Sequence, residues 1–154
     1  MGSVIDGVLV TPLKEIENPK GNILHIMKKG DPGYVEFGEV YFSTIHNGLI
    51  KAWKRHSRMT LNLVCPVGAI RFVLYDDRPN SITSNVFQEV VLARGKNYAR
   101  LTIPPGIWMG FTGISEEESL LLNFADIQHD PVEQENVPVE KSHIIFDWKD
   151  KLEL

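Results

Sequence analysis

Apolar and polar residues alternate with a period of two along most of the chain. The runs GVLVTPL (7–13), VEFGEVYFSTI (35–45), TLNLVCPV (60–67), AIRFVLYDD (69–77) and VFQEVVLAR (86–94) show it most clearly. A strand sends successive side chains to opposite faces, so this alternation predicts half-buried β-strands. Further strands are expected over NILHIMKK (22–29), GLIKAWKRH (48–56), YARLTIPP (98–105), IWMGFTGI (107–114), SLLLNFADI (119–127) and SHIIFDW (142–148). Between them lie KKGDPG, IHNG, PVGA, DDRPNS and ARGKN, whose Gly, Pro, Asn and Asp residues supply turn conformations. One stretch, ISEEESLLL, carries a helical alternative through a capping box of Ser115 and Glu118, but the apolar residues after it lack helical spacing. The polar, Pro-containing QHDPVEQENVPVEK reads as an exposed connection before the last strand. Many short strands in a small chain point to an all-β sandwich or barrel.

Composition narrows this picture. The chain has 154 residues, 43% of them hydrophobic, which suits a single domain spanning 1–154. Its formal charge of −4 argues against a general nucleic-acid or membrane surface, so any anion site should be local. The lone cysteine, Cys65, sits in apolar context, which excludes an intramolecular disulfide and fits a reducing compartment. No apolar run approaches the length of a membrane span, and the expectation is a cytoplasmic protein.

Against this acidic background GLIKAWKRHSRMT (48–60) collects Lys51, Lys54, Arg55, His56 and Arg58 around Trp53. Regular alternation would put Ile50, Ala52, Lys54 and His56 on one face, and Lys51, Trp53 and Arg55 on the other. If the first face is the buried one, two ionisable groups enter the core, which is rare for groups without a partner or a task.

The same strand, together with CPVGAIRFVLYDDR and above all LTIPPGIWMGF, resembles the dTDP-4-dehydrorhamnose 3,5-epimerase family, the RmlC-like cupins. The likeness runs from about Pro19 to Asp130. It implies a β-sandwich or jelly roll whose open barrel end takes a nucleoside-diphosphate 4-keto-6-deoxy sugar, in a homodimer and without metal or other cofactor. The implied chemistry is removal of a proton beside the C4 ketone and its return on the other face. In the family an Arg-Gly-x-His strand supplies the base and a late tyrosine the acid.

The match fails at those positions. Lys51 stands at the family arginine and keeps the charge for a diphosphate without the bidentate fork. Lys54 replaces the catalytic histidine, with His56 two residues on. Met109 stands at a later histidine, Asn123 at the tyrosine, and Leu61 and Phe72 near an expected lysine and aspartate. Lys20 falls at an N-terminal arginine, and His25 near the acidic residue after it. Two readings follow. In the first, the protein is an isomerase with a rebuilt site: Lys54 and His56 are catalytic, and Lys20, His25, Lys51, Arg71, Trp108, Met109 and Asn123 bind substrate. In the second, the fold persists as a noncatalytic sugar-nucleotide binder or partner protein. A buried Lys54 without a carboxylate would favour the first.

Overall fold

A computed structural model describes residues 4–149 and contains two five-stranded antiparallel sheets. The first has the order β1 (Leu9–Pro12), β9 (Ala99–Ile103), β6 (Leu61–Val67), β11 (Ser119–Ala125) and β4 (Glu39–Ile45). The second has the order β12 (Gln134–Asn136), β5 (Ile50–His56), β10 (Ile107–Gly113), β7 (Ala69–Asp76) and β8 (Val86–Ala93). A small hairpin of β2 (Glu15–Ile16) and β3 (Ile23–Leu24) stands apart from both.

The alternation in the sequence explains why the sheets stack. Leu61, Leu63 and Cys65 of β6, Leu101 and Ile103 of β9, and Leu121 and Ala125 of β11 meet Ile70, Phe72 and Leu74 of β7 and Met109 and Phe111 of β10 in one buried cluster. Each large side chain removed from water there contributes about 1.5–3 kcal/mol before entropy is counted. The all-β sandwich expected from the sequence is the architecture found.

The outer face of the second sheet is covered too. Trp53, Val73 and Trp108 pack with Ile144, Phe146 and Trp148 from the C-terminal segment. This corrects two expectations. Residues 142–148 form an irregular strap rather than a strand, and the segment before it, expected to be an exposed connection, supplies β12. The period-2 pattern of SHIIFDW records which side chains face the sheet, since Ile144, Phe146 and Trp148 turn inward while Ile145 is exposed. Alternation reports one-sided burial, and a strap lying on a sheet has that as well as a strand does.

The helical alternative at ISEEESLLL is not adopted. Its apolar part belongs to β11, which pairs with β4 on one side and β6 on the other. Asp76 closes β7 with a dense polar knot: its carboxylate accepts from the Arg78 backbone N–H and guanidinium, from Ser81 and from Thr83.

Candidate active site

The turn at His46–Leu49 joins β4 to β5, the edge of one sheet to a strand near the edge of the other, with Gly48 at φ +72°. That left-handed conformation is open to glycine at little cost. The two strands therefore face each other across the open side of the sandwich, and a cavity of about 630 Å³ lies between them. Tyr41, Ser43, Leu61 and Asn123 come from the first sheet, and Lys51, Lys54, Met109 and Phe111 from the second. Asn136, Val137 and Pro138 close part of the rim.

A β-bulge decides which basic residues enter. In the β5–β10 pairing Met109 is opposite Lys54 but Phe111 is opposite Lys51, so three residues of β5 span two of β10. An extra residue breaks the two-residue alternation, and Lys51 and Lys54 consequently both line the cavity. This corrects the face assignment from the sequence, which separated them. Gly110 lies opposite the bulge: a Cβ there would sit 2.6 Å from the Ala52 Cβ and 2.9 Å from the Trp148 ring. A side chain at position 110 would therefore displace both the bulge and the strap.

Lys54 is half-buried and makes no hydrogen bond or salt bridge with the described residues. Burial pushes its amine below the usual lysine range and the nearby Lys51 adds to this, while the charge of Glu133 partly opposes it. An amine so placed loses its proton more readily than a surface lysine. Lys51 is tied down, donating to the Thr44 carbonyl at 2.7 Å and lying 6.0 Å from the Phe111 ring centre.

His56 is buried and bonds through Nδ1 to Glu133. The carboxylate of Glu133 also accepts the backbone N–H groups of Arg58 and Met59, each at 3.2 Å. Burial by itself would raise the Glu133 pKa, but these donors overcome it and hold the group ionised. Burial pushes the His56 imidazole down despite that partner, so a neutral ring donates Nδ1–H to Glu133. His56 does not line the cavity, although the charge of Lys54 reaches its ring.

Asn123 lines the cavity, but both its N–H bonds point elsewhere, to Ser43 Oγ at 3.0 Å and the Leu121 carbonyl at 3.2 Å. It therefore offers the cavity an acceptor oxygen. Ser43 Oγ, already accepting from Asn123, has its own hydrogen free to donate.

Four of the residues expected to bind substrate lie outside the cavity. Arg71 is buried, bonded to Glu89 at 2.8 Å and stacked near Phe146. Trp108 is buried under the strap, with its Nε1–H on Asp77 at 2.8 Å and Arg55 over its ring. Arg71 on β7 and Trp108 on β10 each lie on the strand face opposite the one that enters the core, and the sequence pattern alone does not say which face is which. Lys20 lies in the exposed link between β2 and β3, and His25 follows β3, its carbonyl accepting from Tyr98. Neither reaches the cavity of its own chain. Conversely, Tyr41, Ser43 and Glu133 went unrecognised in the sequence. The i, i+2 spacing of Tyr41 and Ser43 on one strand was the available signal, whereas Glu133 meets His56 across 77 positions and has no local signature. Among the described residues no group of three His, Cys, Asp or Glu is placed to hold a metal ion.

A dTDP sugar isomerase from Desulfovibrio desulfuricans G20 superposes with a TM-score of 0.91 at 39% identity, over 96% of this chain and 94% of that one. The chain belongs to the dTDP-sugar isomerase family, with the RmlC-like cupin fold. A probable low-salt glycan biosynthesis epimerase, Agl13 of Haloferax volcanii, is 29% identical over 148 residues, 94% of each chain. At the level of fold the family member also matches dTDP-4-dehydrorhamnose 3,5-epimerase from Elizabethkingia anophelis, with a TM-score of 0.77 at 18% identity, over 97% of this chain and 85% of that one. No protein-family profile matches the chain.

Proposed function

We propose that the protein is a cofactor-independent epimerase or isomerase of a nucleoside-diphosphate 4-keto-6-deoxyhexose, serving the synthesis of a glycan or surface polysaccharide. The observation that carries this reading is Lys54: a half-buried amine without a carboxylate partner among the described residues, in a cavity of sugar size, on the strand where the resemblance places a catalytic base. Its free amine takes a proton from the carbon beside the ketone. The Ser43 hydroxyl donates to the oxygen that becomes an enolate, and the ammonium of Lys51 supplies charge for the enolate or the diphosphate. His56, fixed by Glu133, is a positioning residue two places from Lys54 on the same strand.

Incubation with 4-keto-6-deoxyhexoses linked to dTDP, CDP and GDP tests this, with products resolved by NMR coupling constants. A new stereoisomer or shifted ketone with one of them is expected. Tight binding of all without change would favour the noncatalytic binder.

The pH dependence follows from the same amine. Because its pKa is lowered, the active free base should accumulate below the ordinary lysine range. The rate should rise with pH and level off before that range is reached, measured as kcat/KM across a buffer series. A rate that keeps climbing through it would assign the base to an unperturbed lysine.

A homodimer completes the proposal. Phe37 and Phe42, each 60% exposed, and Val40 place an apolar patch at and beside the edge strand β4. Lys20 and His25, remote from their own cavity, contact substrate only if a second copy brings them there. Light scattering should give twice the 17.4 kDa chain mass, and Phe42→Asp should shift the protein toward monomer. A cytoplasmic location is part of the same reading, since the single buried Cys65 fits a reducing compartment.

A further inference from the structure

Inversion at carbon needs two groups, one to remove a proton from the first face of the ring and one to return a proton to the second. Lys54 accounts for the first alone. The position where the family resemblance places an acid is Asn123, whose N–H bonds are both engaged and which carries no transferable proton at neutral pH.

The wall opposite Lys54 carries such a proton. Tyr41 lies on β4, directly paired with Asn123 of β11, and lines the cavity from the first sheet. Lys54 lines it from the second. Stacked sheets stand about 10 Å apart, a gap that holds a sugar ring with one face toward each wall. The other three of the chain's four tyrosines are engaged elsewhere: Tyr34 packs near Phe124, Tyr75 donates to Asn85, and Tyr98 donates to the His25 carbonyl. The Tyr41 hydroxyl has no hydrogen-bond partner among the described residues and is free for a ligand. Ser43, two residues along the same strand, turns into the cavity beside it.

The geometry points to Tyr41 as the proton donor on the face opposite Lys54, replacing on β4 the acid that β11 lacks. This rests on the epimerase reading above. The Lys54 amine takes the proton from carbon, and the C–H electron pair becomes the C=C of the enolate, its charge on the C4 oxygen. The Tyr41 O–H then protonates the same carbon from the other side and the ketone re-forms. Solvent returns a proton to the phenolate and removes one from the ammonium, so nothing is oxidised or reduced. Burial, with the charge of Glu39 adding to it, raises the phenol's pKa, which keeps the donor protonated through the neutral range.

Tyr41→Phe in heavy water separates the two steps. The ring is kept, so thermal unfolding should match the unsubstituted protein. The expected result is that deuterium still enters the substrate carbon, within about tenfold of the normal rate, while the inverted sugar forms about 10²-fold more slowly. Inversion at an undiminished rate would overturn the assignment. So would an equal loss of exchange and inversion, since that places Tyr41 in binding or proton removal. Absence of exchange in the unsubstituted protein is a different result: it removes the epimerase reading itself, and this inference with it.

Discussion

Lys54→Met is expected to lower the rate of proton removal by about 10²–10⁴-fold, the usual contribution of a positioned general base, while the protein still folds. Methionine is unbranched and of similar length, so it fills the same space between Leu61 and Met109. The sign of the stability effect follows from the lowered pKa. Below the folded-state pKa the amine is protonated in both the folded and unfolded states, and burying its charge penalises folding. That penalty falls as pH rises, and it is gone above the unfolded pKa. At neutral pH the substitution removes the penalty, so the midpoint of chemical denaturation should be unchanged or raised. Full exchange activity in the variant would take Lys54 out of the mechanism. A large stability loss would mean that the amine has a structural partner.

The second large effect concerns stability rather than chemistry. Asp76→Ala should destabilise the protein by about 3 kcal/mol in denaturant titrations, because it strands Arg78, Ser81 and Thr83 around a missing carboxylate. Arg78 also donates to the Asp6 carbonyl, so the loss reaches the N-terminal segment. Burial alone would raise the pKa of Asp76, but hydrogen bonds from Arg78, Ser81 and Thr83 overcome it and hold the carboxyl well below the usual range. A depressed carboxylate stabilises the fold above the unfolded value of about 3.9, and that share is lost as pH falls toward the folded value. The variant should therefore lose less stability on acidification than the unsubstituted protein. A change of less than about 1 kcal/mol at neutral pH would show that the loop holds without this knot.

The fold was legible because burial on one face of a sheet writes itself as period-2 alternation, and the two sheets read clearly at β6, β7 and β8. The site was legible only in part, and the reason is the bulge. Alternation assigns faces by parity, and one extra residue between Lys51 and Lys54 reverses parity within a single strand. The resemblance placed Lys51 and Lys54 together at the substrate; spacing alone would have separated them. Arg71 and Trp108 show the opposite failure. Each carries chemistry suited to a ligand, yet the strap over the second sheet gives that outer face an interior of its own, where Arg71 pairs with Glu89 and Trp108 with Asp77. Glu133 was hidden for a third reason: it lies in a polar, Pro-flanked stretch that reads as loop, and its meaning depends on His56, far away in sequence.

The claim on which the rest depends is that this cavity removes a proton from a carbon beside a ketone. Proton NMR of dTDP-4-keto-6-deoxyglucose incubated with the protein in heavy water measures that step directly. The account predicts that the signal of the C3 or C5 proton disappears at a rate above the protein-free control, and that Lys54→Met abolishes the difference. No exchange at either carbon, with the same sugar nucleotide bound in a parallel titration, would contradict it.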